Sequence, residues 1–320
     1  MLTNKKCNLK KLYIININLI VFGGIILRRD FIIYLILAAV LLILPSLVQG
    51  QTNANAIDPL IQSLNDSNTS VREAAVSAIE KIGGPAIEPL IRALNDSNSG
   101  IRIGAELALE KIRDPIALGS LCKVLKDDKD PYVRANAALA LGMINDSNSV
   151  VPLTQALKDI DANVRRGSAV ALVELSSRGV KVDQAVDPLI LALNDTDGTV
   201  RANAATALGN IKDKKAVDPL ITSLRDGDWA VRRYAAYALG SIGDIRASVP
   251  LTQALKDENS SVREAAVMAF GVLEMQQKQQ DAPQSKTSQG AASAKAIQDI
   301  CSCTTDLIRN NNPSGLRAPF

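Results

Sequence analysis

Apolar positions along most of the chain follow the spacing of short amphipathic helices. Between Ala56 and Leu273, stretches with apolar residues three and four positions apart alternate with polar turns. The first such stretch carries Ile57, Leu60, Ile61 and Leu64. A proline lies in the first turn of several of these stretches, where a missing N–H costs nothing: Pro59, Pro89, Pro188 and Pro219. The pattern therefore predicts a short first helix in each unit.

A second helix is predicted after each polar turn. The turn reads Asn-Asp-Ser-Asn at residues 65–68, and such residues tolerate left-handed geometry and cap the helix that follows. The second helix of the first unit should run from about Val71 to Ile82, with its apolar stripe facing inward. Glycines recur near its end, which fits either helix-end glycines or tight contacts between helices: Gly142, Gly209, Gly240 and Gly271.

This two-helix unit recurs seven times. An arginine of the second helix marks each copy: Arg72, Arg102, Arg134, Arg165, Arg201, Arg232 and Arg263. The units span about residues 56–85, 86–115, 116–147, 148–180, 185–212, 216–244 and 245–273, and the long step after Arg165 indicates a longer loop around residues 176–179. A fixed period of this size is typical of a stacked array, because one unit cannot bury its apolar face alone. Such arrays favour binding over catalysis.

The repeat resembles a known family. The segment from Asp228 to Asp244, like that from Val200 to Ile211, is similar to the HEAT-like repeat of the phycobilisome-lyase type. The resemblance implies an all-α fold, a right-handed α-α superhelix of about seven two-helix repeats. It also implies that the seven marker arginines join a ladder of hydrogen bonds along the stack, which is a structural role.

The first 50 residues differ from the repeats. Lysines and two apolar runs precede residues 45–50, and the run from Phe31 has the basic start, apolar middle and small-residue exit of a secretory signal. The stretch from Phe31 to Val48 is also just long enough to span a bilayer. We therefore expect residues 1–50 to be a cleaved signal peptide or a retained membrane anchor, and the chain to be extracytoplasmic, either secreted or tethered to the membrane.

The chain changes again near its C-terminus. Residues 276–320 are mostly polar and low in complexity, which predicts a disordered tail. A short amphipathic helix is expected over residues 294–308, where it could cap the stack or dock on a partner. Cys301 and Cys303 in this segment could bind a metal or form disulfides, but two thiols make an incomplete metal site.

Composition excludes several activities. The chain has no histidine, which rules out His-based triads, His-metal sites and the His-Glu di-iron centre of deoxyhypusine hydroxylase, another HEAT-like protein. Lys and Arg number 36 against 33 Asp and Glu, but six of the cations and one of the anions lie in residues 1–50, which leaves 30 against 32. Nucleic acid is therefore not an expected partner. We expect no catalytic residue, no cofactor and no metal.

A partner protein is expected on one face of the second helices. The HEAT-like resemblance implies that these helices line the concave surface, and the residues one, five and nine positions after each marker arginine are expected to lie on it. The candidates are Leu107, Leu139, Arg166, Met268 and the aromatic-rich group Trp229, Arg233, Tyr234 and Tyr237. Tyr234 could instead fill the space between helices. The expected function is a non-catalytic protein-binding scaffold; the alternative is a bilin-lyase-like enzyme that acts on a chromophore-bearing protein.

Overall fold

The computed structural model describes residues 19–22, 25–28 and 57–281 and divides the chain into two units, residues 1–58 and 59–320. In the first unit, strand β1 (Leu19–Phe22) pairs antiparallel with β2 (Ile25–Arg28), and Phe22 lies opposite Ile25. The expected signal or anchor from Phe31 to Val48 lies outside the described residues. Within those residues, no helix combines the length and the apolar character needed to cross a membrane.

Residues 57–281 contain fourteen α-helices. The odd-numbered, first helices are α1 (57–63), α3 (Ile87–Ala93), α5 (Leu118–Asp127), α7 (Val150–Ala156), α9 (Val186–Ala192), α11 (Val217–Ser223) and α13 (Ser248–Ala254). The even-numbered, second helices are α2 (Thr69–Ile82), α4 (Ser99–Ile112), α6 (Pro131–Ile144), α8 (Ala162–Ser177), α10 (Gly198–Ile211), α12 (Trp229–Ile242) and α14 (Ser260–Asp281). The predicted all-α solenoid of seven two-helix repeats is confirmed.

A single 3-10 turn leads into each first helix from α3 onward. The six turns are Gly84–Ala86, Pro115–Ala117, Ser147–Ser149, Asp183–Ala185, Lys214–Ala216 and Ile245–Ala247. The last residue of each turn is an alanine or a serine whose side chain is completely buried. A larger side chain has no room at this corner, so the small residue fixes where each first helix begins.

The polar turns start the second helices as their composition predicts. The side chain of Asn68 accepts a hydrogen bond from the backbone N–H of Ser70 at 2.9 Å, and Asp228 accepts one from Ala230 at 2.8 Å. Each of these side chains satisfies one of the free N–H groups at a helix start. The turn therefore ends one helix and caps the start of the next.

Close packing between consecutive second helices holds the stack together. A Cβ placed on Gly142 would lie 2.7 Å from Cα of Ala171 in the next repeat, and Gly209 and Gly240 abut Ala238 and Ala269 in the same way. These glycines therefore serve helix contact, the second of the two interpretations of the sequence. The left-handed helix ends fall instead on Arg113, Asn145, Lys212 and Gly243.

The extra residues after Arg165 contact the repeats on both sides of repeat four. Helix α8 extends to Ser177, and the guanidinium of Arg178 then reaches back to the carbonyl of Met143 at 3.4 Å in repeat three. Forward along the stack, the amide of Asn210 donates to the hydroxyl of Ser176 at 3.1 Å. The insertion is therefore a brace between repeats three and five rather than a loose loop.

Helix α14 is longer than the sequence suggests. The composition predicts that the polar tail starts at Gln276, but the helix continues to Asp281. Residues 276–280 are Gln and Lys, which are good helix formers, so polarity alone does not end the helix there. The side chain of Gln276 also lies against Gly243, within 2.1 Å of where a Cβ would be.

Candidate partner-binding surface

The marker arginines connect each second helix to two polar turns. In repeat five, Nη1 of Arg201 donates to the carbonyls of Asp195 and Thr196 in its own turn, at 2.8 and 3.3 Å. Its Nε and Nη2 donate to the carboxylate of Asp226 in the next repeat, at 2.7 and 2.8 Å. The guanidinium thus holds its own turn closed and fastens the following repeat in a fork-shaped pair.

This arrangement repeats along the array as a chain of ion pairs, here called the ladder. Its pairs are Arg102–Asp128, Arg134–Asp159, Arg165–Asp195, Arg201–Asp226 and Arg232–Asp257. The terminal arginines, Arg72 and Arg263, donate to the carbonyls of their own turns at 2.7 Å. The ladder residues are at most a fifth exposed, so their role in the structure is to join repeats.

The ladder changes the acidity of its carboxylates. The hydrogen bond from Arg232 lowers the pKa of Asp257, although partial burial works in the opposite direction. For Asp226, partial burial raises the pKa, but the hydrogen bond from Arg201 and that from the backbone of Asp228 outweigh it, and the net pKa is lowered. Both carboxylates are therefore held in the charged form that the arginines need.

The candidate binding surface, here called the second-helix face, consists of the residues one and five positions after each ladder arginine. The residues at the fifth position are Ser77, Leu107, Leu139, Val170, Thr206, Tyr237 and Met268. Ser77 is exposed; Leu107, Leu139, Val170 and Met268 are half-buried. The expectation of an exposed row is wrong at Thr206 and Tyr237, which are 4% and 3% exposed. The glycine contacts bring the second helices so close there that neighbouring side chains cover both residues.

Arg233 lies over two aromatic rings at the centre of repeat six. Its guanidinium carbon is 5.5 Å from the centroid of the Tyr234 ring and 5.5 Å from that of Tyr237. Both tyrosines are buried, so their rings pack against the half-buried arginine and are not accessible to a partner. Burial also raises the pKa of the Tyr234 hydroxyl, while the nearby Arg233 opposes that shift.

Two polar atoms in this cluster have no acceptor among the described residues. They are Nε of Arg233 and the hydroxyl of Tyr237. No carboxylate of the described chain forms an ion pair with Arg233, unlike the neighbouring Arg232. Buried donors without acceptors are costly and uncommon in folded proteins. The cluster thus combines a cation with two donors, Nε of Arg233 and the hydroxyl of Tyr237, for which the described part of the chain supplies no acceptor.

Two further candidates, Trp229 and Arg166, are not part of this cluster. Trp229 begins α12 and is 45% exposed, so it is available at the edge of the polar turn. Arg166 forms an ion pair with Asp197 of the next repeat, which duplicates the ladder between repeats four and five. Arg166 therefore already has an ion-pair partner within the chain and is not a free cation on this face.

Residues 57–130, 118–185 and 186–271 match the family model for HEAT repeats. The chain belongs to the HEAT-repeat family. No curated protein matches the sequence. The resemblance to HEAT-like repeats noted in the sequence is thereby confirmed.

Solved structures of helical repeat proteins are similar to this HEAT-repeat chain. YibA of Escherichia coli is 23% identical, with a TM-score of 0.55 over 77% of this chain and 92% of that chain. The CpcE–CpcF complex of phycocyanin lyase from Nostoc is 22% identical, with a TM-score of 0.44 over 78% and 94%. A computationally designed armadillo repeat protein for peptide recognition is 19% identical, with a TM-score of 0.43 over 67% and 98%. These likenesses concern the fold alone.

One HEAT repeat carries a carboxyl group that the sequence analysis missed. Glu106 on α4 is completely buried, and neither of its oxygens has a hydrogen-bond partner among the described residues. Burial, and next the charge of Asp128, raise the pKa of Glu106 well above its usual value, although Arg102 opposes them. The signal was available, because the fourth position after the ladder arginine is alanine or valine in the other six repeats.

The two N-terminal HEAT repeats pack differently from the others. Glutamates stand at positions 80 and 110, where later repeats have a glycine or a valine. A cavity of about 170 Å³ lies between α2 and α4, and Ser77, Leu107 and Glu110 line it. The second-helix face therefore has a cleft at this end.

Cys122 on α5 lies at the edge of the core. Its side chain is half-buried, and partial burial followed by the charge of Asp146 raises the pKa of its thiol. The first helices bury one side only, so a residue aligned with the half-buried Ile91 shares its partial exposure. Among the described residues, no group of three or more Cys, Asp or Glu side chains could hold a metal ion.

Proposed function

We propose that this HEAT-repeat protein is a non-catalytic scaffold that binds a partner protein on the second-helix face, with Arg233 at the centre of the contact. The observation that carries the proposal is the cluster of Arg233, Tyr234 and Tyr237. The half-buried guanidinium of Arg233 lies over two rings and has no carboxylate partner among the described residues, so it can accept a hydrogen-bonding partner from another molecule. Arginine and tyrosine are also enriched among the residues that dominate interface energies.

The chemistry of the cluster specifies the partner group. Arg233 can donate several hydrogen bonds in a fixed plane, which suits a carboxylate or two backbone carbonyls. Its aromatic support limits the rotamers of the side chain, so less conformational entropy is lost on binding. We infer that the partner presents an acidic side chain or an exposed stretch of backbone to repeat six.

Apolar side chains on the same face supply the rest of the contact. Leu139 and Val170 in repeats three and four and Met268 in repeat seven are half-buried in the free chain. Covering such residues with a partner removes further apolar surface from water. A contact along the whole face engages several repeats at once, which suits an extended segment of the partner.

The test begins with crosslinked capture of partners from intact cells, after which each candidate is measured against purified variants. Arg233→Ala should weaken a true partner of this surface by about thirtyfold, which corresponds to about 2 kcal/mol. Ser77→Ala is the matched control, because Ser77 is an exposed residue of the same face whose small side chain offers a partner little surface. If Arg233→Ala and Ser77→Ala bind equally well while both keep the full helical signal, the proposed site is wrong.

The proposal also places the scaffold outside the cytoplasm, secreted or tethered to a membrane. It rests on the leader, where Phe31 to Val48 has both the pattern of an export signal and the length of a span. A fusion of residues 1–56 to a reporter that is active only after export tests this directly. Reporter that remains soluble and inactive in the cytoplasm would overturn it.

A further inference from the structure

The cleft between α2 and α4 combines apolar and acidic side chains, and it is here called the N-terminal cleft. The residues that define it are Leu64, Val76, Leu107, Glu73, Glu80 and Glu110. Leu64 is buried, and Val76 and Leu107 are half-buried, so they form an apolar floor. Glu73 and Glu80 are exposed, so their carboxylates lie at the rim.

Glu80 explains why space remains between these two helices. Four of the five later repeats have a glycine at the equivalent position. One of them, Gly209, lies so close to the next helix that a Cβ would be 2.8 Å from Cα of Ala238. The residue of repeat two that aligns with Ala238 is Ala108. A glutamate side chain has no room in so short a distance, so α2 and α4 cannot approach each other as the later pairs do.

The charges around the N-terminal cleft favour a cation. Three carboxylates and two basic side chains line it. Glu73 and Glu80 form no ion pair with another residue of the described part of the chain. Of the two basic residues, Arg72 is directed to its own turn, where Nη1 donates to the carbonyl of Asp66 at 2.7 Å, and Lys111 is exposed. The cleft therefore carries a net negative charge.

A long basic side chain matches both the floor and the rim. The methylene groups of lysine and arginine pack on apolar surface while the charged group stays in contact with water. In the N-terminal cleft, the methylene groups would cover Val76 and Leu107, and the charged group would lie beside Glu73 and Glu80. A shorter cation would leave the floor uncovered, and an apolar side chain would form no ion pair.

We propose that the N-terminal cleft binds a lysine or arginine side chain of the partner protein. This inference rests on the proposed function, because Ser77 and Leu107 of the second-helix face line the cleft. It adds a second charge of opposite sign to the contact, since Arg233 in repeat six binds an acceptor. A partner that spans the face therefore presents a basic residue to repeats one and two and an acceptor to repeat six, which fixes its direction along the array.

Fluorescence anisotropy of fluorescein-labelled octalysine with the full chain tests the N-terminal cleft directly. Glu73→Gln combined with Glu80→Gln should weaken binding about tenfold, because each exposed ion pair contributes up to about 1 kcal/mol. Asp58→Asn combined with Glu88→Gln is the matched control. It removes the same charge from exposed positions on the first helices of the same two repeats and should change binding less than about twofold.

A shorter cationic peptide tests the apolar floor. The octamer of 2,4-diaminobutyric acid has as many amino groups as octalysine but two fewer methylene groups in each side chain. It should bind about tenfold more weakly, because each buried methylene contributes about 0.8 kcal/mol. Leu107→Ala, which removes part of the floor, should reduce this preference for octalysine while the helical signal is kept.

Three results would overturn the proposal. They are failure of octalysine to bind the unchanged chain, equal binding by the double variant and its control, and equal binding of the two peptides. Octalysine that binds only after Lys5, Lys6, Lys10 and Lys11 are changed to glutamine would show that the leader occupies the cleft. Self-association in sedimentation that Glu73→Gln with Glu80→Gln abolishes would assign it to a second copy. Either result makes the partner assignment wrong.

The proposed function is tested by a separate measurement. If the peptide results fail while Arg233→Ala still weakens binding of the captured partner, the N-terminal cleft is wrong and the scaffold function stands. If octalysine binds as expected while Arg233→Ala has no effect on that partner, the site in repeat six is wrong and the N-terminal cleft stands.

Discussion

Arg232 and Asp257 are 25 residues apart in the chain, yet Nε and Nη2 of the arginine lie 2.8 and 2.9 Å from the two carboxylate oxygens. Nη1 of the same guanidinium lies 2.9 Å from the carbonyl of Asp226. One side chain therefore fixes a turn within repeat six and the position of repeat seven. Because of this dual role, removing a ladder arginine should lower the stability of the array directly.

Replacing Arg232 with alanine should lower the free energy of unfolding by about 3 kcal/mol, because it leaves the partly buried carboxylate of Asp257 unpaired. Urea unfolding followed by circular dichroism measures this. Arg225→Ala, which removes an exposed arginine from the neighbouring turn, is the control and should cost less than about 0.5 kcal/mol. Equal losses in the two variants would contradict the role of the ladder.

Acid should weaken the array through the ladder aspartates. The hydrogen bond from Arg232 lowers the pKa of Asp257 in the folded chain. The unfolded state therefore binds more protons below about pH 4, the ordinary range of an aspartate. The stability from this pair is present above that pH and is lost as pH falls through the folded pKa. Asp257→Asn should make the array less stable at pH 7 and flatten this acid limb, as measured by urea unfolding at each pH.

Glu106 should show the opposite dependence. Burial raises its pKa, so the folded state holds the proton at pH values where the unfolded state has released it. Its contribution is therefore favourable below about pH 4, the ordinary range of a glutamate, and is lost as pH rises toward the folded pKa. Glu106→Met, similar in length but apolar, should raise the stability at pH 7 by about 2 kcal/mol. A gain that is equally large at pH 4 would show that titration of Glu106 is not the cause.

Two glycines on the same stripe should respond in opposite ways to alanine. Gly240→Ala forces a Cβ to within 2.7 Å of Ala269, which should cost about 1–3 kcal/mol through overpacking. Gly271→Ala meets open space and should gain about 1 kcal/mol from helix propensity. Thermal unfolding of the two variants measures the difference, and a loss at both positions would mean that the glycines serve backbone conformation instead.

Deleting residues 217–247 should leave a folded but shorter array. The deletion removes 31 residues and joins Ala216 to Ser248, so that Arg201 comes to face Asp257 in ladder register. Contacts in such arrays are between neighbours, so the remaining repeats keep theirs. Circular dichroism and urea unfolding should show a cooperative transition with a smaller helical signal, and a chain that unfolds outright would refute the modular description.

The sequence predicted the helices well because their determinants are local. Apolar spacing, the prolines of the first helices and the Asn and Asp caps each act within a few residues, and the period identified the units. The candidate site was harder to predict. Whether Tyr237 faces solvent depends on how closely α12 approaches its neighbours, and that distance is set by Gly209 and Gly240 in different helices. For Glu106, the sequence shows the departure from the repeat pattern, but it does not show that the side chain is buried.

The ladder also bears on how this gene can change in length. Because the joints from Arg102 to Asp257 use the same two side chains, unequal recombination that gains or loses a whole unit would join its neighbours with unchanged chemistry. The brace formed by Arg178 with Met143, and by Ser176 with Asn210, is the exception. It ties repeat four to particular residues on both sides, so units should be gained or lost elsewhere in the array, while repeats three to five are inherited together as a block.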